Sequence, residues 1–315
     1  MSFSSEVKEE LSEQIASGRH CRLAETAAIL SLCGKIVITE NDRYCVKIQT
    51  ENLAVARKYF TLLRKTFNIR AEVSVRKSRE VRFYSVIVSK DPEARRLLGE
   101  TCLLDEDGNI SECMSPMHHR LLRQNCCRRA FIRGAFLAVG SVSDPEKSYH
   151  FEIVCSTQEK AEELQSLLTA YEIDAKIVMR KKHYVVYVKE GSQIVELLGL
   201  TGAHVSLMQL ENVRIVKEMR NSVNRKVNCE TANLNKTVSA AVRQVEDIRY
   251  IQRTIGFQEL NEGLAEMAVL RLEHPEASLK ELGDLLTPPV GKSGVNHRLR
   301  KLSLIAEKLR EGKEE

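Results

Sequence analysis

RGAFLAVG, residues 133–140, decides the fold, because a worn copy of it stands upstream as ETAAILSLCG, residues 25–34. Each is an apolar stretch rich in small residues that reads as a helix closing on glycine, at Gly34 and Gly140. Downstream of each copy the elements come in the same order. First there is a strand-like run, YCVKIQT from Tyr44 and YHFEIVCS from Tyr149. An amphipathic helix is next, its apolar face set by Leu53, Ala56, Phe60 and Leu63 in one copy and by Ala161, Leu164, Leu167 and Leu168 in the other. Two alternating runs then pair as a hairpin, AEVSVR with FYSVIVS and AKIVMR with YVVYVK. Both copies close on one tripeptide, Leu97-Leu98-Gly99 and Leu197-Leu198-Gly199. A repeat of this length marks two domain halves packed together rather than a solenoid.

Working outward, the expected fold is α+β: a tandem αββαββα-type repeat domain followed by a separate all-α domain. The expected boundaries are 1–20 for an N-terminal helix, 21–110 and 111–215 for the two halves, 216–257 for a linker and long helix, and 258–315 for the helical domain. NSVNRKVNCETANLNKT, rich in Asn, Ser and Thr, reads as the linker. Leu234, Val238, Ala241, Val245, Ile248 and Ile251 give the helix after it an apolar stripe, and Gly256 is its expected stop. Between the halves, MHHRLLRQNCCRRAFIRG carries Arg120, Arg123, Arg128, Arg129 and Arg133 and no acid, which reads either as a solvated helix face or as a phosphate-contacting surface.

The last segment contains a helix-turn-helix pattern. LNEGLAEMAVLRLEHP is a helix stopped by Pro275, and Ser278-Leu279-Lys280-Glu281 is a capping box opening the next, with Leu279, Leu282, Leu285 and Leu286 along it. A turn from Thr287 to Gly291 contains two prolines, and Ser293 is placed to cap a further helix. In that helix Val295, Leu299 and Leu302 lie at i, i+4 and i+7 and should face the core. The opposite face carries Ser293, His297, Arg300 and Lys301, flanked by Asn296 and Arg298, with Lys292 at its start. A short helix, a tight turn and a polar, basic helix is the groove-reading arrangement, although a generic helical pair with a solvated basic face shares the spacing. Ser293, His297 and Arg300 are expected towards base edges, and Lys292, Arg298 and Lys301 mostly towards phosphates.

Three strings carry a family resemblance. FIRGAFLAVGSVSDPEKSYHFEI, from Phe131, resembles the LAGLIDADG-type domain of the bacterial WhiA family. NRKVNCETANLNKT, from Asn224, and PPVGKSGVNHRLRKL, from Pro288, are similar to that family's linker and helix-turn-helix. The resemblance covers nearly the whole chain. It implies a homing-endonuclease-like fold joined to a DNA-binding helical domain, and a role in transcription, sporulation or cell division in Gram-positive bacteria. Active LAGLIDADG endonucleases hold a metal on an acid near the end of each motif helix. Aligning the helix-ending glycines puts Cys33 and Val139 at those positions, so neither carboxylate is present. Asp144 lies four residues past Gly140 and is expected to serve a turn. Ala27, Ala28, Gly134 and Ala138 keep the helices small enough to pack closely.

Two basic hairpins occupy matching places in the repeats, Arg76, Lys77, Arg79 and Arg82 in one and Arg180, Lys181, Lys182 and His183 in the other. Their equivalence suits a secondary DNA or partner surface, as in the endonucleases resembled, against the simpler reading of solvated tips.

Composition bounds the rest. The 315 residues are 43% hydrophobic with a net charge of +5, enough core for two to three domains and compatible with a nucleic-acid partner. Trp is absent and aromatics are 5%, which disfavours base-stacking single-strand binders. The nine cysteines include no C-x-x-C pair, and adjacent Cys126 and Cys127 rarely share one metal, so reduced, mostly buried thiols and no metal or cofactor are expected. Adjacent His118 and His119 point to different helix faces and are not expected to form a site. The N-terminus lacks a signal peptide and no run is long enough to span a membrane, so a cytoplasmic, nucleoid-associated protein without a membrane partner is expected. The expected function is sequence-specific binding of double-stranded DNA without catalysis, with another transcription regulator or RNA polymerase as a further partner. The alternatives are an active homing endonuclease, disfavoured by the missing acids, and a protein-interaction scaffold recruited to DNA. The oligomeric state is left open, a monomer being compatible.

Overall fold

The computed structural model describes residues 2–38, 43–78, 81–104, 110 and 120–311. The chain divides into two compact units, residues 1–217 and 218–315.

In the first unit, helix α1 (Phe3–Glu13) precedes two halves built alike. The first half runs α2 (Arg19–Cys33), β1 (Gly34–Ile38), β2 (Tyr44–Thr50), α3 (Leu53–Phe67), β3 (Glu72–Ser78), β4 (Val81–Val88) and α4 (Asp91–Glu100). The second runs α5 (Asn125–Val139), β5 (Gly140–Val142), β6 (Phe151–Cys155), α6 (Gln158–Thr169), β7 (Lys176–Arg180), β8 (His183–Val188) and α7 (Gly191–Thr201). Each half holds one antiparallel four-stranded sheet, ordered β1-β2-β4-β3 and β5-β6-β8-β7, so the duplication read from the sequence is a duplication of topology. Period-two burial sets each sheet's inner face: Tyr44, Val46 and Ile48 in one, Phe151, Ile153 and Cys155 in the other. Even the closing tripeptides match in detail. Thr101 and Thr201, both buried, donate their hydroxyls back to the carbonyls of Leu97 and Leu197, at 2.7 and 3.0 Å.

The halves meet where α2 packs on α5. A Cβ built on Gly134 would fall 2.5 Å from the Glu25 carbonyl oxygen and 2.9 Å from the Ala28 Cβ, so only glycine admits this approach. Across the same contact, fully buried Glu25 accepts two hydrogen bonds from Arg133, at 3.0 and 3.1 Å, and pairs with buried Lys58 of α3 at 3.0 Å. Lys58 also donates to the carbonyls of Leu11 and Gln14. Burial lowers the Lys58 pKa, and the Glu25 carboxylate opposes that shift.

This packing engages three arginines of the arginine-rich stretch, of which Arg128 and Arg129, like Arg123, remain exposed. Arg133 is held by Glu25 and the Thr201 carbonyl, Arg128 donates to the Leu122 carbonyl, and Arg129 donates to the carbonyls of Leu200 and Gly199. A guanidinium is a fork of donors and suits unsatisfied helix-end carbonyls as well as it suits phosphate. His118 and His119 lie outside the described residues. The cysteines are also less buried than expected. Among the described ones Cys21, Cys127 and Cys155 are buried, Cys33, Cys45 and Cys102 are half-buried, and Cys126 and Cys229 are exposed.

Helix α8 (His204–Thr254) starts in the first unit, and the division between units falls within it. It overturns the linker reading: NSVNRKVNCETANLNKT is helical throughout. Asn, Ser and Thr disfavour helix only by tenths of a kcal/mol each, up to ~0.7, and no Gly or Pro interrupts residues 204–254. The expected apolar stripe is only partly used. Ile248 and Ile251 are buried, whereas Leu234 and Val238 are exposed. Gly256, at φ +76°, does end the helix region.

The second unit packs the end of α8 with α9 (Glu262–Glu273), α10 (Leu279–Leu285) and α11 (Lys292–Glu311). Its core joins Ile248, Ile251, Leu264, Met267, Ala268, Leu282, Leu286, Val295, Leu299, Leu302 and Ala306. Among the described residues, no helix is long and apolar enough to cross a membrane.

Candidate nucleic-acid interface

The α10–turn–α11 segment is assembled by short-range signals. Ser278 and Glu281 form the expected reciprocal capping box, at 3.3 and 2.7 Å. The turn then folds back on α10: Val290 N–H donates to the Gly283 carbonyl at 3.0 Å. A Cβ on Gly283 would lie 2.1 Å from the Val290 carbonyl oxygen and 3.2 Å from Val295 Cγ2. Glycine at 283 is therefore what lets the turn close and α11 lie against α10. Ser293 does not cap α11 as expected. The helix begins one residue earlier, and the Gly291 carbonyl accepts from the N–H groups of Gly294 and Val295, at 2.9 and 3.1 Å. The side chain of residue 293 is thereby carried inside the first turn rather than folded back over its start.

The face of α11 is set as the spacing predicted. Val295, Leu299 and Leu302 are at most 1% exposed. Lys292, Ser293, His297, Arg300 and Lys301 are all exposed, and none of these five side chains is hydrogen-bonded or ion-paired to another described residue. Asn296 is half-buried. Arg298 departs from the expected phosphate role: its guanidinium turns onto α9, donating to the Gly263 carbonyl at 3.3 Å with Glu266 at 3.9 Å. Position 298 lies beside the buried seam, next to Leu299 and one turn after Val295, so its side chain reaches α9 before it reaches solvent.

In the repeat unit the two basic hairpins do occupy equivalent places. Strand register pairs Arg76 with Phe83 and Arg180 with His183, and Glu72 with Ile87 matches Lys176 with Tyr187. Arg76 and Arg180 are thus corresponding positions, four residues along their strands from Glu72 and Lys176. Lys77 and Arg82 are exposed cross-strand partners, and Lys181 and Lys182 form the exposed tip of the second hairpin, with Lys181 at φ +57°. Arg79 lies outside the described residues. Arg180 is partly neutralised by Glu152, 3.3 Å away, which also meets His150 at 3.0 Å.

The two positions aligned with endonuclease acids are the last residues of α2 and α5, as the glycine alignment required. The Cys33 thiol donates to the Ile29 carbonyl at 3.1 Å, and burial pushes its pKa up to about 12. The N-terminal helix brings a feature that the sequence does not announce. Lys8 of α1 interacts electrostatically with Cys33 and lies 5.7 Å from the ring centroid of Phe136, one turn before Val139. Burial pushes its pKa down to about 8. A thiol, a valine and an amine form a poor donor set for magnesium, which takes hard oxygen ligands. Asp144 serves a turn, accepting from Glu146 N–H at 3.0 Å.

Comparison with known proteins matches three stretches of the chain to family descriptions: "WhiA N-terminal LAGLIDADG-like domain" at residues 19–104, "WhiA LAGLIDADG-like domain" at 128–220 and "WhiA C-terminal HTH domain" at 223–306. A "Probable cell division protein WhiA" of Lachnoclostridium phytofermentans is 55% identical over 99% of this chain and 100% of its own length. One of the same name from Clostridium botulinum, strain Hall, is 46% identical over 99% of this chain and 100% of its own. The crystal structure of full-length DUF199/WhiA from "Thermatoga maritima" shares the fold, with a TM-score of 0.59 at 24% identity over 98% of this chain and 99% of that one.

Proposed function

The chain belongs to the WhiA family, and from that premise we propose that it is a non-catalytic, sequence-specific binder of double-stranded DNA that regulates transcription in cell division or sporulation. The observation that carries this reading is the first half of α11. A buried seam of Val295, Leu299 and Leu302 fixes an outward face of Lys292, Ser293, His297, Arg300 and Lys301, whose polar groups are left to solvent among the described residues. Arginine suits guanine edges, and lysine at the helix margin suits phosphate. Cys33 and Val139 at the ends of α2 and α5, with Lys8 beside them, support the absence of metal-dependent cleavage. The basic hairpin tips offer a second contact surface, for flanking DNA, for another regulator or for RNA polymerase.

The test is a genome-wide footprint of the full chain against its Arg300→Ala variant. Discrete sites in the first that fade in the second are expected; identical maps would remove α11 as the reader. Incubating recovered sites with magnesium or manganese should leave them intact, and site-specific nicking that co-purifies with the chain would return it to the nucleases.

A further inference from the structure

The starts of α2 and α5 bring together four soft ligands that are distant in sequence. His20 and Cys21 lie in the first turn of α2, and Cys126 and Cys127 lie in the first turn of α5. One potential ligand atom from each lies within 4.8 Å of all the others. His20 Nδ1 is 3.1 Å from Cys127 Sγ, 3.3 Å from Cys21 Sγ and 3.8 Å from Cys126 Sγ. A tetrahedral zinc with its usual bond lengths separates nitrogen from sulfur by about 3.6 Å and sulfur from sulfur by about 3.8 Å. The observed distances of 3.1–3.8 Å bracket the nitrogen–sulfur value, and all four atoms lie close enough to converge on one ion.

Three further observations point the same way. The ligands obey the internal duplication: α2 begins at 19 and α5 at 125, so His20 matches Cys126 and Cys21 matches Cys127. Neither helix has a side-chain cap or an acid in its first turn, so both present uncapped N–H groups and the positive ends of their dipoles to the cluster. The dipoles favour thiolate there, while burial and the neighbouring thiols push the Cys21 and Cys127 pKa values up, so deprotonation falls to the bound cation. Finally, a Cβ on Gly18 would fall 2.7 Å from His20 Nε2, so the glycine before α2 leaves room for the imidazole in the pose that aims Nδ1 at the sulfurs.

We propose that His20, Cys21, Cys126 and Cys127 bind one zinc ion that clamps the starts of α2 and α5. Neutral imidazole and three thiolates hold the ion with a net site charge of −1, and binding releases three protons. No ligand position is left for water or substrate, which makes the site structural. Cys21 lies twelve residues, about 18 Å along α2, from Cys33. The clamp therefore sits at the far end of the helix pair from the positions that hold metal in the nucleases.

The full chain, purified under reducing conditions without chelator, should carry one equivalent of zinc by elemental analysis. Exchange with cobalt(II) should give the intense visible bands of tetrahedral coordination and a sulfur-to-cobalt charge-transfer band. Cys126→Ser changes an exposed residue, so it should keep the wild-type circular dichroism while losing charge-transfer intensity and zinc; Cys229→Ser should lose neither. Chelation should lower the Tm of the wild type and leave Cys126→Ser unmoved. The proposal is overturned if folded, reduced wild type gives no charge-transfer band, if Cys126→Ser leaves the band undiminished, or if mapping of the purified chain finds these cysteines in disulfides.

Discussion

The starts of α5 and α11 are alike in sequence and different in surroundings. Each opens a helix with a cluster of cations and no early acid. In α5, Arg133 turns inward onto the Glu25 carboxylate, and Arg128 and Arg129, though exposed, donate to backbone carbonyls of their own fold. In α11, Lys292, Arg300 and Lys301 remain exposed. What differs is the neighbourhood. Helix α5 is packed against α2 and α7, whose chain ends and one buried acid supply acceptors within reach of a long side chain. The outward face of α11 meets no such acceptor among the described residues. A basic helix is thus a candidate for DNA only once the acceptors of its own fold have been counted, and Arg298, captured by α9, shows the rule operating within α11 itself.

The contrast is most exposed to failure at Arg133. Replacing it with Ala leaves Glu25 buried with Lys58 alone and should cost about 3–5 kcal/mol of stability, read by urea unfolding. DNA affinity per folded molecule should not change. Lost affinity with unchanged stability would erase the distinction between the two helices.

Gly283→Ala sharpens it from the other side. Forcing a methyl against the Val290 carbonyl should destabilise the second unit by about 1–3 kcal/mol, seen as weakened protection of residues 218–315 in hydrogen exchange. The first unit should keep its protection. Arg300→Ala should then cost on the order of 1–3 kcal/mol at a specific site and relax discrimination at one base position, with stability within about 0.5 kcal/mol of wild type. Lys301→Ala should weaken specific and non-specific binding alike and reduce the salt slope by about one. Titrations across salt concentration with matched and scrambled duplexes check both.

The smallest effect concerns Lys8. Its pKa is depressed to about 8 in the folded chain, so between about pH 8 and the ordinary lysine value near 10.5 the unfolded chain binds more protons. By linkage, the Lys8 contribution to stability rises with pH across that window. Lys8→Met should therefore stabilise the chain at pH 7 by on the order of 1 kcal/mol, and the gain should shrink towards pH 10.5. A gain independent of pH would mean that Lys8 acts through packing alone.

The duplication was legible because helix-ending glycines and period-two strands are local signals, and the α11 face because i, i+4 and i+7 apolar residues fix it. Capping at Ser278 and Glu281 was legible for the same reason. What escaped depended on partners far away in sequence. Nothing beside Arg133 or Arg129 announces Glu25 or the Leu200 carbonyl, 108 and 71 residues away. At residues 221–237 a composition of Asn, Ser and Thr argues weakly against helix, and the absence of any breaker outweighs it. The meeting of His20 and Cys21 with Cys126 and Cys127 is invisible to spacing along the chain, because the two pairs are joined only by the packing of α2 on α5. The repeat alignment that located Cys33 and Val139 reaches them when carried back to the helix starts.

The amine near Cys33 bears on what acids at the ends of α2 and α5 could do. Placing an acid at 33 and another at 139 would not by itself create a metal site, because Lys8 would meet the new carboxylate at 33 as a counter-ion. Two such substitutions are thus insufficient by themselves, and a third, at Lys8 on a helix outside the duplicated halves, would have to accompany them.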